Sequence, residues 1–208
     1  MQQATRRTAR RALSPLWLPI AVGILLLSFA CVASSSGIPW DASRLLDWGM
    51  FRCTPPADAI HRSEAAAIHM TIRWHASYSV SSGNGGWTGR VQCATITNTM
   101  EPSLSWMVPG KCDDRVLEHE QAHFNLNEVY RRKLEVELGS LVAQSATKDG
   151  ALDTLNAMLH RRAGEILSAL QSAQARYDAE TDHGNNAAAQ ARWESNIARW
   201  LDNPNAVP

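Results

Sequence analysis

The chain has 208 residues, of which 45% are hydrophobic and 19% are charged, a composition that is typical of a globular protein and excludes an intrinsically disordered one. Twenty basic residues balance twenty acidic residues, so the charge provides no basic surface for nucleic acid, and we expect no nucleic-acid partner. Four arginines, at positions 6, 7, 10 and 11, precede the first acidic residue, which leaves a mildly acidic body behind a basic N-terminus.

The first 37 residues have the order of a targeting segment. An uncharged apolar run from Leu16 to Val32 follows the arginines, and small residues follow over 33–37. This order predicts either a signal peptide cleaved near Ala33 or, because the run is just long enough to span a bilayer, a membrane anchor. We therefore expect residues 38–208 to form an exported domain, in the periplasm and cell envelope or secreted. An uncleaved segment over 16–32 would hold it at the inner membrane.

Three cysteines belong to the domain: Cys53, Cys93 and Cys112. An oxidising compartment favours one disulfide among them and leaves one thiol over. Cys93–Cys112 is the expected pair, because both residues flank the same predicted β region.

The first half of the domain predicts a small antiparallel sheet. Residues 38–65 form an irregular segment with a short helical piece at about 42–48 and a turn at Pro55-Pro56. Apolar and polar residues then alternate from Ile68 to Val80, which predicts a strand with one buried face. A loop over 81–86 separates it from a second strand over 87–99, and residues 104–108 are a candidate third strand.

The second half predicts helices, because its apolar residues recur with a period of 3.6. The first helix is capped by Asp113 or Asp114 and runs to about Ala146, where Lys148-Asp149-Gly150 breaks it. A second helix ends near Thr181, and a third covers 187–201. Strands followed by helices predict an α+β fold, in which a small antiparallel sheet precedes a long antiparallel helical hairpin.

A metal-binding pattern lies in the first of these helices: His119, Glu120 and His123 form H-E-x-x-H. Residues i and i+4 lie about 5–6 Å apart on one helix face, so both imidazoles can reach one Zn²⁺ at about 2.0–2.1 Å. Glu120 can then serve as general base toward a zinc-bound water without ligating the ion. The alternative is a pair of core histidines bonded to other groups, and the intervening glutamate favours the metal.

The third ligand is expected on the second helix. If the connection between the helices is centred near residue 148, antiparallel packing places residue 119 opposite about 177, and residue 123 opposite about 173. The candidates near that point are, in order of preference, His183, Asp178 and Glu180. His183 ranks first because it lies past the helix end, where a loop can direct it; the less favoured alternative is that His183-Gly184 is a simple helix end. Tyr177, on the buried stripe, either packs or donates to the tetrahedral oxyanion.

These two segments together resemble a known family. The H-E-x-x-H helix, followed by Tyr177-Asp178-x-x-Thr181-x-His183-Gly184, looks like the DUF922 family of predicted secreted zinc-dependent proteases, which belongs to the zincin-like metallopeptidases. The segments Asp47-Trp48-x-x-Phe51, Pro55-Pro56 and 65–67 are similar to the start of the family, so the likeness covers about 45–185. The resemblance implies a zincin-like metallopeptidase domain over residues 38–208.

The sequence therefore predicts a zinc peptidase of the cell envelope that acts on a peptide or protein substrate. His119, His123 and His183, or Asp178 in its place, would hold Zn²⁺, and Glu120 would take the proton of the attacking water. The rival hypothesis is a binding or structural envelope protein whose helices are held by a non-catalytic metal. Ligation by both Asp178 and His183 would favour that version, because it closes the fourth coordination position.

Overall fold

The computed structural model describes residues 37–59, 64–83 and 85–207. The signal or anchor segment predicted over 1–37 lies outside them except for Gly37. Among the described residues no helix is both long enough and apolar enough to cross a membrane.

The described chain is an α+β protein with a small antiparallel sheet and three helices. The six strands are β1 (Ile38–Pro39), β2 (Ala66–Ala67), β3 (Met70–Gly83), β4 (Gly86–Met100), β5 (Trp106–Met107) and β6 (Val142–Ser145). In the main sheet β3 pairs with β4 along its whole length, while β1 and β6 pair with the other edge of β4. The short strands β2 and β5 form a separate antiparallel pair.

The helices are α1 (Asp114–Gly139), α2 (Lys148–Thr181) and α3 (Ala187–Asp202). Each helix is capped at its start by a side chain that accepts a hydrogen bond from a backbone N–H of the first turn. The capping residues are Asp113, Thr147 and Asn186 respectively. Short 3₁₀ helices cover Trp48–Met50 and Pro204–Ala206.

Helices α1 and α2 pack in opposite directions against one face of the sheet. The Glu137–Arg162 ion pair of 2.6 Å joins them near their connection, and the His119–Asp178 contact of 3.2 Å joins them at the far end. Their facing apolar residues and the inward residues of β3 and β4 form one core. This packing fixes the start of α1 beside the end of α2, where the predicted zinc ligands lie.

The strand predictions for β3 and β4 and the prediction for α3 are confirmed to within three residues, because alternation and helical periodicity are strong there. The prediction that the first helix runs to about Ala146 is wrong. α1 ends at Gly139, and residues 142–145 instead form β6, because Ala143 adds to the core between sheet and helices. Residues 148–150 do not break a helix; they form the first turn of α2 behind the Thr147 cap.

Three smaller predictions also change. The helical piece expected at about 42–48 is replaced by the 3₁₀ turn at 48–50, where the Asp47 side chain accepts from Gly49 N–H. The candidate third strand is reduced to β5, which pairs with β2 rather than with the main sheet. The Cys93–Cys112 disulfide is not formed: the cysteines of the described residues are all free, and Cys112 Sγ contacts Met107 Sδ at 3.4 Å.

Candidate metal centre

The two histidines of H-E-x-x-H lie on one face of α1 and point their Nε2 atoms at the same place. His119 Nε2 and His123 Nε2 are 3.1 Å apart, and both side chains are buried in the described structure. The spacing of four residues produces this approach, because it returns the side chain to the same helix face.

A carboxylate from α2 completes a group of three donor atoms. Asp178 Oδ1 lies 3.2 Å from His119 Nε2 and 2.7 Å from His123 Nε2. Burial alone would raise the pKa of Asp178, but the two imidazoles, which donate to it when an added proton occupies Nε2 in the ion-free protein, lower it well below its usual range. The carboxylate is therefore ionised where it meets the histidines.

Two glutamines fix which nitrogen of each imidazole carries a proton. His119 Nδ1 donates to Gln190 Oε1 at 3.2 Å, and His123 Nδ1 donates to Gln174 Oε1 at 2.6 Å. The amides are themselves oriented, because Gln174 Nε2 donates to the His123 carbonyl and Gln190 Nε2 donates to Glu194 Oε1. With protons on Nδ1, both neutral imidazoles present the lone pair of Nε2 to the centre.

This arrangement suits a cation. Two Nε2 lone pairs and an ionised carboxylate oxygen repel one another at these distances unless a metal ion or an added proton lies among them. Tetrahedral Zn²⁺ with ligands at about 2.0–2.2 Å keeps its ligand atoms about 3.3–3.6 Å apart. The observed separations of 2.7, 3.1 and 3.2 Å are slightly shorter, so small outward movements would admit the ion. The donor set therefore fits zinc.

The first-ranked third ligand, His183, stands beside this group. His183 Nδ1 is 3.9 Å from Asp178 Oδ1, and donor atoms of His119, Asp178 and His183 all lie within 4.8 Å of one another. Asp182 and His183 both have left-handed backbone conformations, with φ of 49° and 51°, as they reverse the chain after α2. Such strain in residues other than glycine concentrates at functional sites.

Glu120 is buried next to the donor group. Its Oε2 accepts a hydrogen bond of 2.8 Å from the Ile68 N–H, which anchors the carboxyl to the segment that follows β2. Burial raises the pKa of Glu120, and the nearby histidines and the Ile68 N–H offset only part of that increase. Among the described residues its Oε1 has no hydrogen-bond partner, so one oxygen remains available to move a proton.

Two further candidates have other partners. The Tyr177 hydroxyl donates to Gln190 Oε1 at 2.8 Å, and its ring stacks on His119 with centroids 4.6 Å apart. This geometry favours packing and positioning over donation to an oxyanion. Glu180, the third-ranked ligand, accepts a 2.8 Å hydrogen bond from Trp193 Nε1, and it is not part of the donor group.

Sequence reasoning missed the two glutamines. Gln190 lies one turn before Trp193 on the buried stripe of α3, and Gln174 lies between Leu170 and Tyr177 on α2. A polar residue on or beside an apolar stripe was the available signal, because a buried amide requires partners. Which groups it would meet depended on the packing of α3 and α2 against α1.

A cleft of about 300 Å³ opens over the donor group. Its lining includes the two histidines, Glu120, Asp178 and His183, together with residues 64–68. The cleft therefore leads from solvent to the donor group.

The model of the family described as "Bacterial protein of unknown function (DUF922)" matches residues 54–184. This range is more than half of the chain and contains both the H-E-x-x-H sequence and the turn that carries His183. No curated protein and no solved structure matches the chain.

Proposed function

The chain belongs to the DUF922 family of bacterial proteins of unknown function, and we propose that it is a zinc-dependent peptidase of the cell envelope with a zincin-like domain. The observation that carries this proposal is the convergence of His119 Nε2, His123 Nε2 and Asp178 Oδ1 beside a buried glutamate, on the floor of an open cleft. A purely structural ion needs neither the glutamate nor the cleft.

In this proposal the two histidines and Asp178 hold Zn²⁺, and the glutamines keep the histidines in the ligating tautomer. When bound, Zn²⁺ would supply a Lewis acid that lowers the pKa of water and polarises a peptide carbonyl. Tyr177 is a positioning residue, because it stacks on His119 and shares Gln190 with it.

Glu120 moves the proton. Its Oε2 is held by the Ile68 N–H, so its Oε1 takes a proton from the attacking water. The water oxygen bonds to the carbonyl carbon, the carbon–nitrogen bond breaks, and the same carboxyl passes the proton to the leaving amine. Residues 64–68 also line the cleft and would contact the peptide.

The proposed location rests on the N-terminal sequence. The basic segment, the apolar run over 16–32 and the small residues after it support export of the domain. Substrates would then be peptides or proteins of the periplasm or cell envelope, or outside the cell.

The second candidate function is a structural or binding protein with a non-catalytic metal. The observation that favours it is the position of His183, whose Nδ1 lies 3.9 Å from Asp178 Oδ1. If His183 and Asp178 both ligate, four protein atoms surround the ion and no position remains for the reaction.

Zinc binding tests both candidates. We expect the chain purified without chelator to carry about one Zn²⁺, and removal of the ion to lower the melting temperature. At free zinc one hundred times the Kd, binding stabilises the native state by about 2.7 kcal/mol. For a domain of this size that corresponds to a shift of about 5–11 °C. Elemental analysis and thermal melts of the stripped and reloaded protein measure the two effects.

Magnesium at the same concentration is the control, because a site of two imidazoles and one carboxylate selects zinc over it. A metal-free preparation whose melting temperature does not respond to zinc would contradict both candidates, since any ion held by the native state must stabilise it.

Gly184 provides a second test of the site. It has a φ of 84°, and a Cβ there would lie 3.2 Å from His119 Cβ and 3.3 Å from its Cγ. We expect Gly184→Ala to displace the imidazole and lower zinc affinity by about 10- to 100-fold, the range for groups that orient a ligand. Competition with a zinc chelator measures the affinity.

Gly110→Ala is the matched control. Gly110 has nearly the same φ, 85°, but an added Cβ meets nothing within 4 Å, so it imposes the same backbone strain without touching a histidine. Equal zinc affinity in the two variants would show that Gly184 does not position His119.

A further inference from the structure

The cleft over the donor group continues into a second hollow along α2. The two cavities share Met70 and Gln174 in their linings, and the second has a volume of about 390 Å³. Gln174 is also the residue that holds His123 Nδ1 and the His123 carbonyl, so it stands at the boundary between the cleft and the hollow.

The walls of the hollow are largely apolar. Met70 and Ile72 of β3 form one side, and Leu167 and Leu170 of α2 form the other. Leu170 belongs to the core, whereas Ile72 and Leu167 are only partly buried and present apolar surface to the hollow. A hollow with such walls takes an apolar side chain.

One buried polar group also faces this space. Asn127 is 4% exposed and lines the hollow, and its Nδ2 donates to Asn98 Oδ1 at 2.8 Å. Its own Oδ1 accepts no hydrogen bond from the described part of the chain. Because this oxygen is not fully buried, it is open to solvent in the hollow, and a peptide N–H can bond it in place of water.

The distance from the donor group sets which substrate residue reaches the hollow. Gln174 lies four residues before Asp178 on α2, and Leu170 lies eight, which at a rise of about 1.5 Å per residue gives about 6 and 12 Å. An extended peptide advances about 3.3 Å per residue. The middle of this span, about 9 Å from Asp178, therefore corresponds to the second or third residue from the reacting bond.

We infer that this hollow is a specificity subsite that accepts a large apolar side chain, such as Leu, at the second or third residue on one side of the scissile bond. The inference rests on the proposed peptidase function and adds the class of substrate: extended peptides with an apolar residue at that distance. Asn127 would accept a backbone N–H of the same peptide.

The test uses ten-residue peptides in which one position near the cleaved bond is Leu, Ala or Asp. For wild type we expect kcat/KM to favour Leu over Ala by about tenfold or more at one position two or three residues from the bond, as for other apolar pockets. Leu167→Trp should fill the hollow and bring that ratio close to one. Leu167→Lys should shift the preference at that substrate position from Leu toward Asp. This second variant keeps the test decisive if Leu167→Trp disturbs folding.

Val136→Trp is the control, because Val136 is half-exposed on α1 and does not line either cavity. It should leave the ratio unchanged. A Leu to Ala ratio that neither Leu167 variant alters would overturn the subsite while leaving the peptidase proposal intact.

Peptide binding tests the subsite independently of peptide hydrolysis. Labelled forms of the same peptides are titrated into zinc-loaded Glu120→Gln protein, with and without each Leu167 change. Preferential binding of the Leu peptide, lost in Leu167→Trp, supports the subsite even if wild type cleaves nothing. Absence of both binding and cleavage would overturn both proposals.

Discussion

Glu120→Gln should leave the protein folded and loaded with zinc but reduce peptide hydrolysis by at least ~100-fold, the usual scale for loss of a general base. Glutamine has the size of glutamate, and its amide oxygen can accept the hydrogen bond that Ile68 N–H now donates to Oε2. Its amide cannot take a proton from water. We therefore expect zinc content and melting temperature close to wild type, with the loss confined to kcat.

Glu118→Gln is the matched control, because it makes the same chemical change two residues away on the exposed side of α1. The measurements are hydrolysis of a peptide library by wild type and both variants, zinc content and thermal melting. Hydrolysis that survives Glu120→Gln would contradict the mechanism. A wild type that binds zinc but cleaves no peptide would favour the structural alternative.

Asp178→Ala should lower zinc affinity by at least ~100-fold, and by more than His183→Ala does. Removing a zinc ligand costs more affinity than removing a residue that only orients a ligand. This order differs from the ranking by sequence, which placed His183 first. Asp178 Oδ1 contacts both histidines at 2.7 and 3.2 Å, whereas His183 Nδ1 lies 3.9 Å from Asp178 Oδ1 itself. Competition with a zinc chelator measures the zinc affinity of wild type and of both variants.

The size of the His183 effect separates the two candidate functions. A small loss leaves three protein ligands and an open position, as a hydrolase requires, whereas a loss equal to that of Asp178→Ala indicates a closed site. Glu180→Gln is the control, because Glu180 bonds Trp193 rather than the donor group, and it should retain wild-type affinity. A larger loss in His183→Ala than in Asp178→Ala would restore the sequence ranking.

Much of this protein can be predicted from its sequence because the determining interactions are local. Period-two alternation identifies β3, periodicity with a polar cap identifies the start of α1, and periodicity alone identifies nearly all of α3. The i, i+4 spacing of His119 and His123 places their nitrogens together on any regular helix. The antiparallel register of α1 and α2, centred near residue 148, likewise predicts the partner of His119 to within one residue of Asp178.

Only the tertiary structure decides the rest, because the groups involved come from elements far apart in the chain. β6 exists because the edge of β4 offers it hydrogen bonds, although its four residues have no periodicity of their own. Asp178 approaches the histidines more closely than His183 because α2 remains helical through Thr181 before the strained turn begins. Gln174 and Gln190 meet the imidazoles because α2 and α3 both pack on α1. Each of these features depends on packing between segments that are distant in the chain, so no short sequence pattern predicts it.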